Sequence, residues 1–262
     1  MYLSGHFPNI TKGYGSGAPI QNMRKIIIAL PKGHRLLALS YEVFKKAGYV
    51  SAALEQAIAD KDQKQLEYDS DCGRMSYLLV RNADIPQYVD RNWAELGLTA
   101  FDCYREYELS SVMGHAMRGD NFITDLLPDL GLCDKSRFCV AGLPQAQSFY
   151  EKCKKSAEKI LTVATQHPYI AAHFFSSIKI LADIITISGS SELMPAHGVV
   201  DAIFDIVEEG RALQENGLII YEEAMPIQTK ILVSKAALKY DVNVAEMVKT
   251  LQKEVQDGAF KP

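Results

Sequence analysis

Apolar positions along the chain fall into two alternating patterns. Short continuous runs rich in β-branched residues predict strands buried on both faces. They are Ile26-Ile27-Ile28-Ala29-Leu30, Tyr77-Leu78-Leu79-Val80, Leu96-Gly97-Leu98-Thr99, Phe138-Cys139-Val140-Ala141, Ile160-Leu161-Thr162-Val163-Ala164 and Ile184-Ile185-Thr186-Ile187. Between several of them the spacing is helical. Leu36, Leu37, Ser40, Val43, Phe44 and Ala47 share one face before Gly48, and Gln145 to Ala157 and Tyr169 to Leu181 read as helices. Strands alternating with helices predict an α/β fold with largely parallel sheets. Further on, Val199 to Val207 reads as a short helix running into a strand, Glu208-Glu209-Gly210 as a turn, and Arg211 to Asn216 as a helix closed by Gly217. Lys230-Ile231-Leu232-Val233 predicts a returning strand. Val244, Met247, Val248, Leu251 and Val255 lie in helical register. Residues 51–74 and 105–135 are polar and irregular, and the pattern assigns no element there. Met1 to Gln21, with four glycines and two prolines, predict a flexible arm outside the core.

Composition narrows the function classes. The 262 residues contain no apolar run near the ~20 that a membrane helix needs. Met1 to Asn22 lack the apolar stretch of a secretory leader, which predicts a cytoplasmic protein. A net charge of −4 disfavours a nucleic-acid coat, while leaving room for a local basic pocket. Cys72, Cys103, Cys133, Cys139 and Cys153 are scattered without CxxC spacing, so neither a zinc knuckle nor a disulfide framework is predicted. The six histidines show no ligand spacing, and His115, His167 and His173 read as surface or satisfied core residues.

Open parallel sheets bind ligands beyond the C-terminal ends of their strands, which nominates three turns. In Pro31-Lys32-Gly33-His34-Arg35, cations and a glycine follow a buried strand and precede a helix, an arrangement suited to phosphate oxygens. An ordinary strand-to-helix turn with a solvated lysine is the competing reading. Ser188-Gly189-Ser190-Ser191-Glu192 offers small residues, close backbone approach and one carboxylate. The third turn runs from Asp201 through Asp205 to Gly210. Its two acids share a face if the segment is helical and diverge if the chain straightens. Paired acids beside an anion site bind sugar hydroxyls or Mg²⁺; a helix cap or a solvated acid is the plain alternative.

Taken in order, these segments carry a family resemblance. Ala29 to Leu36, Val80-Arg81-Asn82-Ala83-Asp84-Ile85-Pro86, Glu95 to Thr99, Arg137 to Ala141, Val163-Ala164-Thr165-Gln166-His167-Pro168 and above all Gly189 to Leu218 resemble ATP phosphoribosyltransferase, the first enzyme of histidine biosynthesis. The resemblance runs from Lys25 to about Lys239. It implies two α/β domains with a cleft between them, similar to the type II periplasmic-binding-protein fold. The implied layout is an arm at residues 1–24, a first domain at 25–135 plus 213–262, and an inserted second domain at 136–212. It also implies the joining of N1 of ATP to C1′ of phosphoribosyl pyrophosphate (PRPP), with Mg²⁺ and release of pyrophosphate. By position, Lys32 and Arg35 match the family's basic catalytic turn. Arg81, Asp84 and Thr165 match its nucleotide site. Glu192, Asp201 and Asp205 match the acids at the ribose of PRPP, Asp201 and Asp205 being the implied metal ligands. Glu208, Glu209, Gly210, Arg211 and Ala212 match the 5′-phosphate loop. The stretch after Leu218 is too short for the family's regulatory domain. The resemblance is therefore to the short form, a homo-oligomer or a hetero-oligomer with a regulatory subunit resembling histidyl-tRNA synthetase.

The chain departs from the family pattern in that loop. Where the family reads Thr-Gly-x-Thr, this chain reads Glu209-Gly210-Arg211-Ala212, which removes two hydroxyls and adds a carboxylate. A carboxylate ~5 Å from a phosphate charge costs roughly 3 kcal/mol at an effective dielectric near 20, unless Arg211 offsets it. Ala100-Phe101-Asp102 stands where the family commonly has Gly-Lys-Asp. A divergent enzyme is the leading reading. A paralogue with another nucleotide or anion ligand, or a non-catalytic subunit role, is the alternative, and a solute-binding protein is a third class.

Overall fold

A computed structural model describes residues 24–61, 65–112, 120–127, 129–130, 132, 135–156 and 158–256. The expected arm, save for Arg24, lies outside them, as does Cys133. The apolar run after Lys25 forms β1 (Ile26–Pro31), followed by α1 (His34–Lys46), α2 (Ala52–Ala59), β2 (Glu67–Asp69), β3 (Met75–Val80), α3 (Ile85–Asp90), β4 (Leu96–Ala100), α4 (Phe101–Val112) and β5 (Phe122–Ile123). Then come β6 (Arg137–Gly142), α5 (Gln147–Lys155), β7 (Ile160–Thr165), α6 (Pro168–Ser177), β8 (Leu181–Thr186), β9 (Ala202–Val207), α7 (Arg211–Glu215) and β10 (Ile219–Pro226). The chain returns through β11 (Thr229–Ser234), α8 (Lys235–Tyr240) and α9 (Val242–Gln256).

Two sheets result, one per lobe. The first has the order β2-β3-β1-β4-β11-β5 and the second β10-β6-β9-β7-β8. In the first, β1 runs parallel to β3 and β4 while β11 lies antiparallel to β4. In the second, β7 is parallel to β8 and β9, and β6 is antiparallel to β9. Central strands covered on both faces need no polar side, and every residue of β4 is buried. Gly97 within β4 is required by packing, since a Cβ there would lie 2.6 Å from Ile85 Cγ2 on α3. The first core joins Ile28, Leu37, Phe44 and Tyr77 to Val244, Met247 and Leu251 of α9. The second gathers Phe138, Phe174, Phe175 and Phe204, with Phe138 stacked on Phe204 at 4.9 Å between centroids.

Several boundaries differ from the sequence pattern. The second lobe continues past Ala212 to Pro226, because β10 pairs antiparallel with β6 from Ile219↔Gly142 to Pro226↔Arg137. Its central Glu222-Glu223 interrupts the apolar run and hides a partly exposed edge strand from a search for such runs. The helix expected to reach Leu181 stops at Ser177; Lys179 turns left-handed at φ 60° and Leu181 opens β8. Val199 to Val207 holds no helix, only β9 after a turn at Gly198. Within residues 51–74 lie α2, capped by the Ser51 hydroxyl accepting from Leu54 N–H, and β2. Residues 105–112 complete α4. The chain crosses between lobes twice, and the crossings are tied to each other and to α4: Ile227 N–H donates to Ser136 O, and Phe101 N–H to Gln228 O, each at 2.8 Å.

Candidate active site

In the second lobe, β9 ends at Val207 and the chain turns through Glu208, Glu209 and Gly210 into α7. Gly210 takes the left-handed region at φ 73°, open to glycine without a Cβ clash. A cavity of about 300 Å³ opens here, lined by Ser191, Glu192 and Asp205 and by the turn from Glu208 to Ala212. Asp205 is fixed within it. One carboxylate oxygen accepts from the Ser191 hydroxyl and the other from Ile206 N–H at 2.7 Å. Ser191 is itself buried, opening the short 3₁₀ turn Ser191–Leu193 after a left-handed Ser190. At the mouth, Arg211 pairs with Glu209 at 2.7 Å, both side chains exposed. The like charge of Glu209 is thus already countered. An exposed pair of this kind is worth about 0–1 kcal/mol, so a phosphate can recruit Arg211 at little cost.

The first lobe presents cations. Pro31 and Val80 are register partners at the ends of β1 and β3, and Lys32 N–H donates to Val80 O at 2.7 Å. Lys32 and Arg81 therefore leave adjacent strand ends, both exposed. Neither forms an ion pair among the described residues. Arg35 lies in the first turn of α1. Asp84 is exposed and closes the turn Asn82–Asp84, its N–H donating to Arg81 O at 2.9 Å. Thr99 ties this turn to the end of β4, its hydroxyl donating to Asn82 Oδ1 at 2.8 Å.

These two edges meet where α4, following β4, packs on α6, following β7. His167 stands at this meeting point, its ring edge-on to Phe138 at 5.1 Å. Burial pushes its pKa down, while Asp102 of the first lobe and Asp205 of the second oppose that shift. Glu106 on α4 accepts from Tyr169 N–H at 2.8 Å and Ile170 N–H at 2.9 Å on α6. Sequence spacing set His167 aside and offered nothing at Glu106; only the fold brings either to the cleft.

Two expected site residues are placed elsewhere. Asp201 immediately precedes β9, its carboxylate accepting from Thr162 N–H at 2.9 Å and its own N–H donating to Thr162 O at 3.0 Å. Four residues of extended chain put it ~13 Å from Asp205, so the two do not form one metal pair. Thr165 is fully buried and its hydroxyl accepts from His167 N–H at 2.9 Å, which makes it part of the turn rather than of a ligand surface. Lys32, Arg81 and Asp84 share the first lobe's edge and do not line the 300 Å³ cavity. Among the described residues, no cluster of three or more His, Cys, Asp or Glu could hold a metal, the cysteines are free, and no helix is long and apolar enough to cross a membrane.

Two α/β lobes, one edged with unpaired cations and the other with a glycine turn beside a fixed acid, define a two-lobed α/β protein built for anionic ligands. Over residues 81–256 the chain matches the family described as HisG: ATP phosphoribosyltransferase. The chain belongs to the ATP phosphoribosyltransferase family and is a pentosyltransferase of the first step of histidine biosynthesis. It is 33% identical over 240 residues to the ATP phosphoribosyltransferase of Bacillus cereus (strain AH820), covering 90% of this chain and 100% of that one. The Bacillus mycoides (strain KBAB4) enzyme is 33% identical over 237 residues, with the same coverage. Among solved structures, the ATP phosphoribosyl transferase (HisG:HisZ) complex from Thermotoga maritima aligns with a TM-score of 0.60 at 23% identity, over 88% of this chain and 99% of that chain.

Proposed function

We propose that the chain joins N1 of ATP to C1′ of PRPP: the N1–C1′ bond forms, the C1′–oxygen bond breaks, and pyrophosphate leaves with that electron pair. The observation that carries this is the cavity at the Glu208–Ala212 turn, with Asp205 held by Ser191 inside it. Backbone N–H groups of that turn and Arg211 receive the 5′-phosphate, and Asp205 and Glu192 face the ribose hydroxyls. Across the cleft, Arg81 and Asp84 take the nucleotide, while Lys32 and Arg35 neutralise the departing pyrophosphate. Mg²⁺ suits such a site, since it is commonly held by one or two carboxylates plus substrate phosphates. Asp205 and Glu192 would hold it, and it would supply charge neutralisation for the pyrophosphate. The reaction asks for positioning and charge, not for a covalent nucleophile.

The Thermotoga relative was solved as a two-component complex, which supports a hetero-oligomer with a separate regulatory subunit here, the histidyl-tRNA synthetase-like kind implied by the resemblance. Both substrates are cytoplasmic metabolites, which supports a cytoplasmic enzyme.

The Glu209–Arg211 pair in a loop without hydroxyls favours a second reading, a paralogue that takes another nucleotide or anion. Calorimetric titration of PRPP with Mg²⁺ into the wild type and the double variant Glu209→Thr/Ala212→Thr separates the two. For the transferase, both bind, and the double variant binds about tenfold more tightly, or about 1.4 kcal/mol. Absence of PRPP binding in both folded proteins gives the paralogue reading.

A further inference from the structure

We propose that Glu106 is an interlobe positioning residue, the contact that sets the angle between the cation-bearing edge of the first lobe and the phosphate turn of the second. It rests on the transferase reading above and deepens it.

The first turn of α6 shows why. A helix start leaves backbone N–H groups without intrahelical partners. Here each one is accounted for. His167 N–H donates to Thr165 Oγ1 at 2.9 Å, Pro168 has no N–H, and Ala171 N–H closes onto His167 O at 2.9 Å. Tyr169 N–H and Ile170 N–H remain, and Glu106 takes one on each carboxylate oxygen. No side chain of the second lobe caps this helix. The lobe that carries the cavity therefore has a helix whose cap belongs to the other lobe.

The placement of the two helices turns a cap into a geometric constraint. α4 begins directly after β4, the neighbour of β1 from which Lys32 emerges. α6 follows β7, the neighbour of β9 that carries Asp205. The paired crossings at Ser136–Ile227 and Phe101–Gln228 act as a pivot. A pivot alone leaves a rotation free. Phe101 and Leu109 of α4 pack on the second lobe's core, a contact without fixed direction, and Glu106 adds the directional anchor between the lobes. Its carboxyl pKa is raised, with burial as the main cause, so this is a partly desolvated acid whose two backbone donors offset part of that cost. Separating the lobes would strand two amides and leave α6 uncapped.

Steady-state kinetics and single-ligand binding on the full chain test this, with ATP, PRPP and Mg²⁺ as probes. Glu106→Ala should lower kcat on the order of a hundredfold, the cost of a displacement of about 1 Å between reacting groups. The Kd of ATP alone should stay within about twofold, because Arg81 and Asp84 of the first lobe hold it, whereas PRPP spans both edges and should weaken with kcat. Glu106→Gln keeps a carbonyl acceptor for these amides and should recover part of the lost kcat. A further background, His167→Ser, supplies α6 with an N-cap of its own. If Glu106→Ala in that background still loses kcat relative to His167→Ser alone, positioning is supported. If the cis cap restores kcat, Glu106 merely capped a helix and the proposal falls. It also falls if Glu106→Ala keeps wild-type kcat, or loses ATP binding in step with kcat. A wild type that fails to bind PRPP overturns the transferase reading instead.

Discussion

The two edges that face the cleft are built on opposite principles. In the first lobe the charged groups are long, exposed and unpaired: Lys32 and Arg81 leave adjacent strand ends with no ion pair among the described residues. In the second lobe the central acid is short, half-buried and tied at both oxygens, Asp205 being held by Ser191 and by Ile206 N–H. A tied group is already oriented when the ligand arrives, while a free Lys or Arg loses roughly 2 kcal/mol of rotamer freedom when immobilised. The second edge is thus suited to fixing the ribose at which the bond is made. The first suits a flexible polyanion that comes and goes.

Four measurements can break or refine that contrast. The largest effect is expected at Asp205. Asp205→Ala removes a preorganised acid and strands the buried Ser191 hydroxyl, so PRPP affinity should fall on the order of a hundredfold, about 2.7 kcal/mol by calorimetry. Arg81→Ala, from the exposed edge, should weaken ATP less and in a salt-dependent way. Equal losses at the two positions would erase the contrast. Asp201→Ala should leave PRPP affinity within about twofold. It should instead remove the bond to Thr162 N–H, lowering stability by about 1 kcal/mol, and a melting curve should fall by about 2–4 °C. The smallest effect concerns pH. Burial raises the Glu106 pKa above that of the unfolded chain, and Asp102 adds to the shift. The folded state therefore holds this proton to higher pH, so the contribution of this group to stability falls as pH rises from the ordinary glutamate value through the raised one. Glu106→Gln should flatten that part of the stability profile in denaturant titrations, and an unchanged slope would remove the effect from Glu106.

How far the sequence reveals this arrangement depends on the kind of signal each part carries. β1, β3, β4, β6 and β7 are continuous apolar runs because these strands, parallel or not, are covered on both faces, and such runs are visible in one dimension. The turn at Gly210 and the loop at Ser191 were visible as glycine and small residues after a strand. β10 was not, because an edge strand broken by Glu222-Glu223 has no continuous apolar run to announce it. Asp201 and Asp205 look equivalent by spacing, and only the extended backbone of β9 assigns one to the cavity and the other to a bond with Thr162. Thr165 sits inside a family-like motif, yet its hydroxyl faces its own turn. Glu106 owes its role to hydrogen bonds across lobes, and His167 sits on Phe138 where Asp102 of the other lobe comes near, neither of which a local pattern encodes.

The position of β11 between β4 and β5 bears on how the chain is made. Everything in the second sheet is contiguous, from Arg137 to Pro226, and is complete once that stretch has left the ribosome. The first sheet begins earlier and finishes later. Until Thr229–Ser234 emerges, β4 presents an open edge of unpaired N–H and C=O groups, and β5 has nothing to pair with. The sheet begun first is therefore the sheet completed last in sequence. Between Pro226 and Thr229–Ser234 the second sheet is complete in sequence while β4 still lacks a neighbour, an edge of the kind that pairs with other chains.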